Sequence, residues 1–194
     1  GDQAAGAVGN GVVKSGIISS TIGTSGVVFA HMDSVSIDPE GRVHTFCHAI
    51  PGAWHVMGVT QGAGLSLQWM RNNFGGMERE LARFMKIDPY DLMVVEAEQA
   101  DPGCQGLIYL PYLMGERTPH LDPNARGVFF GLTAKHDRSD MIRSIMEGVS
   151  YSLKDCLEII KDMLVSAPEI SASFGGARSK LWRQMQADIF EVPI

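Results

Sequence analysis

Apolar residues follow two different periods along this chain, and the order in which the periods alternate predicts an α/β domain. Ile17–Ile22 and the stretch 27–30 are apolar and β-branched on either side of Gly23-Thr24-Ser25-Gly26, which reads as a hairpin. Alternation over 43–50 and 54–59, split by Pro51-Gly52, reads as a second antiparallel pair. The period then lengthens. Leu65, Trp69 and Met70 give 62–74 helical spacing, and a second short helix covers 78–85. Asp88-Pro89-Tyr90-Asp91 supplies an N-cap, a first-turn proline and a carboxylate near a helix start, so a third helix runs to about Ala100.

The second half repeats the change of period. A short buried strand is expected over 107–110, a long irregular stretch with three prolines over 111–126, and an apolar, glycine-bounded segment over 127–132. The strongest helix is expected over 138–165, where Ile142, Ile145, Val149, Leu153, Leu157, Ile160 and Leu164 fall three or four apart. A strand over 170–174 then meets Gly175-Gly176-Ala177 and gives way to a helix over Lys180–Phe190. The expected product is a mixed central sheet that holds the first hairpin and 170–174, with the long helix packed across it.

Composition narrows the class. With 194 residues, 45% hydrophobic and 20% charged, the chain is one large globular domain or two small ones and buries roughly 70% of its unfolded surface. A net charge of −6 and the lack of any Lys or Arg run disfavour nucleic acid and anionic membranes as partners. No apolar run reaches the about 18 residues of a membrane span, and no signal peptide opens the chain. Cys47, Cys104 and Cys156 are odd in number and scattered, which fits a reducing cytoplasm. The chain opens on Asp2 with no strand before it. It stops at Val192-Pro193-Ile194, which reads as the approach to another strand, so a fragment of a longer protein is expected.

Four stretches carry candidate chemistry. Asp2 sits in the glycine-rich opening Gly1 to Gly11, upstream of the 23–26 turn. A carboxylate that accepts a hydroxyl proton, with a turn that holds phosphate oxygens, suits phosphoryl transfer; small residues there equally mark tight helix–strand packing. Ser173 to Ser179 is strand, glycine turn and helix start, an arrangement that binds phosphate or simply turns the chain. It lacks the spacing of a dinucleotide fingerprint. His44, Cys47, His48 and His55 suggest a metal, but strand alternation turns Cys47 away from His44 and His48. No metal is expected there, and buried, hydrogen-bonded histidines tying the sheet are. Glu116-Arg117-Thr118-Pro119 is either a functional loop or a stiff crossing with an internal Glu–Arg pair.

With these motifs the chain resembles, over nearly its whole length, the C-terminal half of the FGGY carbohydrate kinases. Gly1-Asp2-Gln3-Ala4-Ala5-Gly6-Ala7 is similar to the segment bearing the family's catalytic aspartate, and Ile22-Gly23-Thr24-Ser25-Gly26 to its second phosphate motif. Gly127 to Leu132, Asp140-Met141 and Ser144-Ile145-Met146-Glu147 resemble its C-terminal signature. Gly175-Gly176-Ala177-Arg178-Ser179, with Trp182, Gln184 and Ala187-Asp188, resembles its adenosine motif. The stretch 44–59 is more similar to the family's xylulose kinases than to its glycerol or gluconate kinases. Two departures stand out: Phe174 replaces a glycine found in many relatives, and Thr60-Gln61-Gly62-Ala63-Gly64 replaces a Ser-Ala-Ala type stretch.

The resemblance implies an actin-like, hexokinase-like ATPase domain of ribonuclease H-like type. Residues 1–194 would form the second, ATP-binding domain of a sugar kinase whose N-terminal sugar-binding domain is missing. The parent would move the γ-phosphoryl of ATP to the 5-hydroxyl of D-xylulose. Asp2 would be the general base and, with Gln3, a sugar contact. Gly23, Thr24 and Ser25 would hold phosphate; Gly175, Gly176, Ala177 and Ser179 would border the nucleoside. Mg2+ would be held mainly by the phosphates and the missing domain, and the isolated piece would be inactive. Its partners would be sugar, ATP and the missing domain, with a homodimer left open. Two alternatives remain at this point: a kinase for another sugar or polyol, and a non-catalytic actin-like nucleotide-binding domain.

Overall fold

The computed structural model describes residues 1–163 and 168–194. A short helix, α1 (Asp2–Gly9), leads into β1 (Ile17–Ile22), β2 (Gly26–Met32), β3 (His44–Cys47) and β4 (Trp54–Thr60). Three helices follow: α2 (Ala63–Phe74), α3 (Gly76–Met85) and α4 (Pro89–Ala97). β5 (Ile108–Leu110) and β6 (Val128–Phe130) form a small separate sheet, and then come α5 (Arg138–Met163), β7 (Glu169–Ser173) and α6 (Lys180–Phe190). The central sheet has the order β3-β4-β2-β1-β7. β7 runs parallel to β1, with Ile18 opposite Ile170, and the other neighbours are antiparallel.

Alternation gives this sheet two unlike faces. Ile18, Ile22, Val28, Ala30, Met32 and Val56 turn toward one core, where α5 buries Ile142, Ile145, Val149, Leu153, Leu157 and Ile160. Each such side chain contributes roughly 1.5–3 kcal/mol when fully buried. Leu164 and Val165, expected on the same helix, lie outside the described residues. Val27, Phe29 and Val59 turn the other way and meet Ala7 of α1 and Val12.

Three elements differ from expectation. The helix that starts at Pro89 stops at Ala97, because Gln99 and Ala100 donate to carbonyls only three residues back and tighten the last turn. β5 buries Tyr109 but leaves Ile108 exposed, since among the described residues β6 is its only ladder partner and one side of the pair is open. β7 ends at Ser173 because Phe174 adopts φ 65° and ψ −155°, which breaks the extended backbone.

The buried histidines are His31, His48 and His55, whereas His44 is only half-buried. They gather around Phe29: the His55 ring stacks on it at 4.3 Å between centroids, and His48 meets it edge-on at 5.5 Å. The expected hydrogen bonding is partial. His31 Nε2 pairs with Asp33 Oδ1 at 3.0 Å, and His48 Nδ1 accepts from the Ile50 amide at 3.1 Å. His55 Nδ1 has no partner among the described residues. Ring packing therefore does more than hydrogen bonding to hold this face.

The fold generates two predictions. Ile145→Asp places an unpaired charge in the α5 core, and a total stability of roughly 5–15 kcal/mol does not absorb it. Circular dichroism should find the variant unfolded; a melt like the parent's would show that the helix face is misread. Burial, reinforced by the nearby His48, pushes His55 from 6.5 down to about 4. The folded state thus favours the neutral ring, so its stability is complete above about pH 6.5 and is lost as pH falls toward 4. Thermal melts should drop through that window, and His55→Gln should flatten the drop; an equally steep drop in the variant removes His55 as a cause.

Candidate nucleotide site

A cavity of about 610 Å3 opens where β1 and β7 end and where α2, α4 and α6 begin. Its first wall is the β1–β2 turn with Gly23 and Thr24. The Gly64 amide donates to the Gly23 carbonyl at 2.9 Å and the Leu65 amide to the Thr24 carbonyl at 3.0 Å. A Cβ on Gly64 would sit 2.3 Å from the Gly23 oxygen, so this approach requires glycine. The turn's carbonyls are thereby occupied. The amides of Thr24 and Ser25 have no acceptor among the described residues and remain available to an anion.

The position of α2 is itself enforced. Glu116, buried within the proline-rich stretch, accepts from Thr60 Oγ1 at 2.5 Å and from the Gln61 amide at 2.8 Å. Ser152 of α5 donates to the same Thr60 hydroxyl. Thr118 adds a second clasp, donating its amide to the Val59 carbonyl and its hydroxyl to the Arg42 carbonyl. The Glu116 carboxylate bonds the Arg117 amide and not its guanidinium, so the internal Glu–Arg pair does not form.

The second wall is the turn after β7. Gly175, Gly176 and Ser179 line it, together with Arg178 and Lys180. The two glycines serve different ends. A Cβ on Gly176 would lie 2.5 Å from Ile22 Cβ, so Gly176 is bare to let the turn rest on β1. A Cβ on Gly175 would meet nothing nearer than the Ile22 oxygen at 3.7 Å and would project into free space. Ser179 Oγ accepts from the Trp182 amide at 3.2 Å and caps α6, whose N-terminus carries partial positive charge. Trp182 Nε1 donates to the Met146 carbonyl and Ser150 Oγ, both at 3.1 Å, and so fastens α6 to α5.

The third wall was not legible as a site. Asp88, Tyr90, Asp91 and Val94 of the α4 start face Leu67 and Gln68 of α2 across the cavity. Asp88 is the expected N-cap, its Oδ1 accepting from the Tyr90 amide at 3.0 Å, and the same carboxylate borders the space. Burial raises the Tyr90 phenol, which stays a donor. No local spacing signals these roles, because only packing of α4 against α2 and α5 creates the wall.

Of the residues named from sequence, Gly23, Thr24, Gly175, Gly176 and Ser179 therefore converge on one cavity. Ser25 and Ala177 stand next to the wall without forming it; the Ala177 amide donates to the Phe174 carbonyl. Asp2 and Gln3 are not on the wall. They begin α1, which docks on the opposite face of the sheet through Ala7, and the exposed Asp2 accepts from the Gln3 amide at 2.9 Å. Glu147 of the 127–147 signature pairs with Arg143 at 2.8 Å and accepts from the Gly103 amide, a clamp on the chain before β5. Free amides and a capped helix N-terminus at the mouth, with a partly apolar third wall, suit an elongated ligand that is anionic at one end.

Known proteins match this geometry and sequence. The chain is 41% identical to the xylulose kinase of Escherichia coli over 189 residues, which is 97% of this chain and 37% of that protein. It is also 41% identical to the gluconokinase of Bacillus subtilis, covering 95% of this chain and 36% of the relative. The chain thus spans little more than a third of the length of the relatives it matches. The crystal structure of a ligand-bound xylulose kinase from Lactobacillus acidophilus superposes with a TM-score of 0.81 at 31% identity, over 96% of this chain and 36% of that one. The mixed sheet with flanking helices is the actin-like, hexokinase-like ATPase fold of these kinases. Residues 18–194 match the C-terminal domain of the FGGY family of carbohydrate kinases, and the chain belongs to that family.

Proposed function

We propose that this chain is the ATP-binding domain of a kinase that phosphorylates D-xylulose on its 5-hydroxyl. The observation that carries the reading is the convergence of the 23–25 turn and the 175–179 turn on one cavity, although they lie some 150 residues apart in sequence. The amides of Thr24 and Ser25 would hold phosphate oxygens, and Gly175, Gly176, Ala177 and Ser179 would border the nucleoside. The donor set fits phosphate. Magnesium, when bound, neutralises phosphate charge, and it would be held through phosphate oxygens and by a preceding sugar-binding domain. The chain alone would then be inactive, since orientation of both substrates supplies about 7–11 kcal/mol of barrier reduction.

Asp2 would take the proton of the sugar hydroxyl as its oxygen attacks, and Gln3 would hydrogen-bond the sugar. The exposed Asp2 carboxylate at the head of α1 is free of any cation partner among the described residues, which suits a group that must accept a proton. Closure of a second domain would exclude water from the transfer. Xylulose is favoured over gluconate by the 44–59 stretch, and the equal identity to a gluconokinase makes the sugar the first thing to test. No helix among the described residues is long and apolar enough to cross a membrane, and a cytoplasmic enzyme is proposed.

The experiment is turnover by the full-length protein with xylulose, ribulose, glycerol and gluconate. Xylulose should give the highest kcat/KM, and preference for another of these would replace the substrate. In the same protein Asp2→Asn should lower kcat by at least roughly 100-fold and leave ATP affinity nearly unchanged. Gly1, not Asp2, is the N-cap of α1, so the variant should fold normally; near-parental turnover would remove the base. Gly175→Val should obstruct the nucleotide without disturbing β1, unlike any side chain at Gly176. Calorimetric titration with a non-hydrolysable ATP analogue should show weakened binding, and unchanged affinity in the folded variant would place the nucleotide elsewhere.

A further inference from the structure

A second cleft, of about 500 Å3, lies between the end of α2, one side of α3 and the start of α4. It shares no lining residue with the nucleotide cavity. Arg71, Arg79 and Arg83 line it, and no carboxylate does. Asn72 organises two of them: its side-chain oxygen accepts from Arg71 Nε at 3.1 Å and Nη2 at 2.9 Å, and its carbonyl receives Arg79 Nη1 at 3.5 Å. Arg71 is held further by stacking over the Tyr90 ring at 4.7 Å.

Three guanidinium groups meet in this cleft. Arg79 and Arg83 stand one helical turn apart on α3, where like charges repel. None of the three is in an ion pair among the described residues, although the chain carries 22 acidic residues against 16 basic ones. Arg71 is fixed by hydrogen bonding and stacking, and with the exposed Arg79 and Arg83 it offers guanidinium donors that match phosphate oxygens. Ala82, Ile87 and Pro89 supply an apolar floor beside these charges.

We propose that this cleft binds the phosphate group of a small phosphorylated molecule, with Arg71, Arg79 and Arg83 on the phosphate and Ala82, Ile87 and Pro89 under its carbon body. The site stands whether or not the chain binds ATP. Only the suggestion that the ligand is a sugar phosphate, the product class of the proposed reaction, rests on the function proposed above.

The test is titration of inorganic phosphate and, separately, a pentose 5-phosphate into the full chain at low salt. Calorimetry would give affinity, and the arginine Nε–Hε resonances would report location. Both probes should bind saturably and shift the signals of Arg71, Arg79 and Arg83. Arg79→Ala combined with Arg83→Ala should weaken binding roughly tenfold or more, whereas Gly175→Val should retain it. Tighter binding of the ester assigns the site to phosphorylated sugars, and equal affinities assign it to free phosphate; either supports phosphate recognition by the cleft. Absence of saturable shifts at the three arginines overturns the proposal, as does undiminished binding by the folded double variant. Loss of binding in Gly175→Val would move the phosphate to the nucleotide cavity and also overturn it. A protein that fails to bind ATP still gives all of these readouts, so the two readings fail separately.

Discussion

Two backbone hydrogen bonds, from the Gly64 and Leu65 amides to the Gly23 and Thr24 carbonyls, tie the head of α2 to the turn between β1 and β2. A helix ordinarily leaves its first amides for water, a side chain or a ligand. Here they are spent on holding the turn, and the donors offered to a ligand are those of the turn itself. The geometry tolerates no side chain at Gly64, and it fails if α2 starts one residue early or late. Glu116 sets that start by gripping Thr60 and Gln61, and Ser152 anchors Thr60 to the central helix. A loop some fifty residues downstream thus sets the shape of the cavity where the β1–β2 turn lines it.

The two faces of the central sheet have different chemistry, and the difference has a direction. The α5 side is hydrocarbon with a few satisfied hydroxyls, such as Ser20 bonded to Gln186 at 2.7 Å. The α1 side is aromatic and imidazole, with His31, His48 and His55 around Phe29. Proton uptake therefore disturbs the face on which α1 docks before it disturbs the face that packs on α5. Acid would act first on the seating of the helix that bears Asp2.

What could be read from sequence follows from range. The first hairpin is written in residues two apart and the α5 face in residues three or four apart, so Ile17–Ile22 and Ile142, Ile145, Val149 and Leu153 were legible without a structure. The glycine turns were legible as turns, but their convergence depends on β7 lying beside β1, which no local pattern encodes. The same holds for Tyr90, Asp91 and Gln68, ordinary helix residues until α4 packs against α2. Glu116 looked like a partner for its neighbour Arg117, because sequence shows adjacency and not the Thr60 hydroxyl that competes for the carboxylate. His31 went unnoticed among the histidines for a similar reason: it stands apart in sequence and joins them only through strand pairing.

Phe174 bears on how this domain would drift in sequence. Its backbone occupies a region that glycine enters freely and other residues enter at a cost of about 1–3 kcal/mol. The residue is 63% exposed and recovers little of that cost by burial. A lineage under pressure only to withstand heat would therefore lose the aromatic side chain early, with β7 and the turn behind it left unchanged.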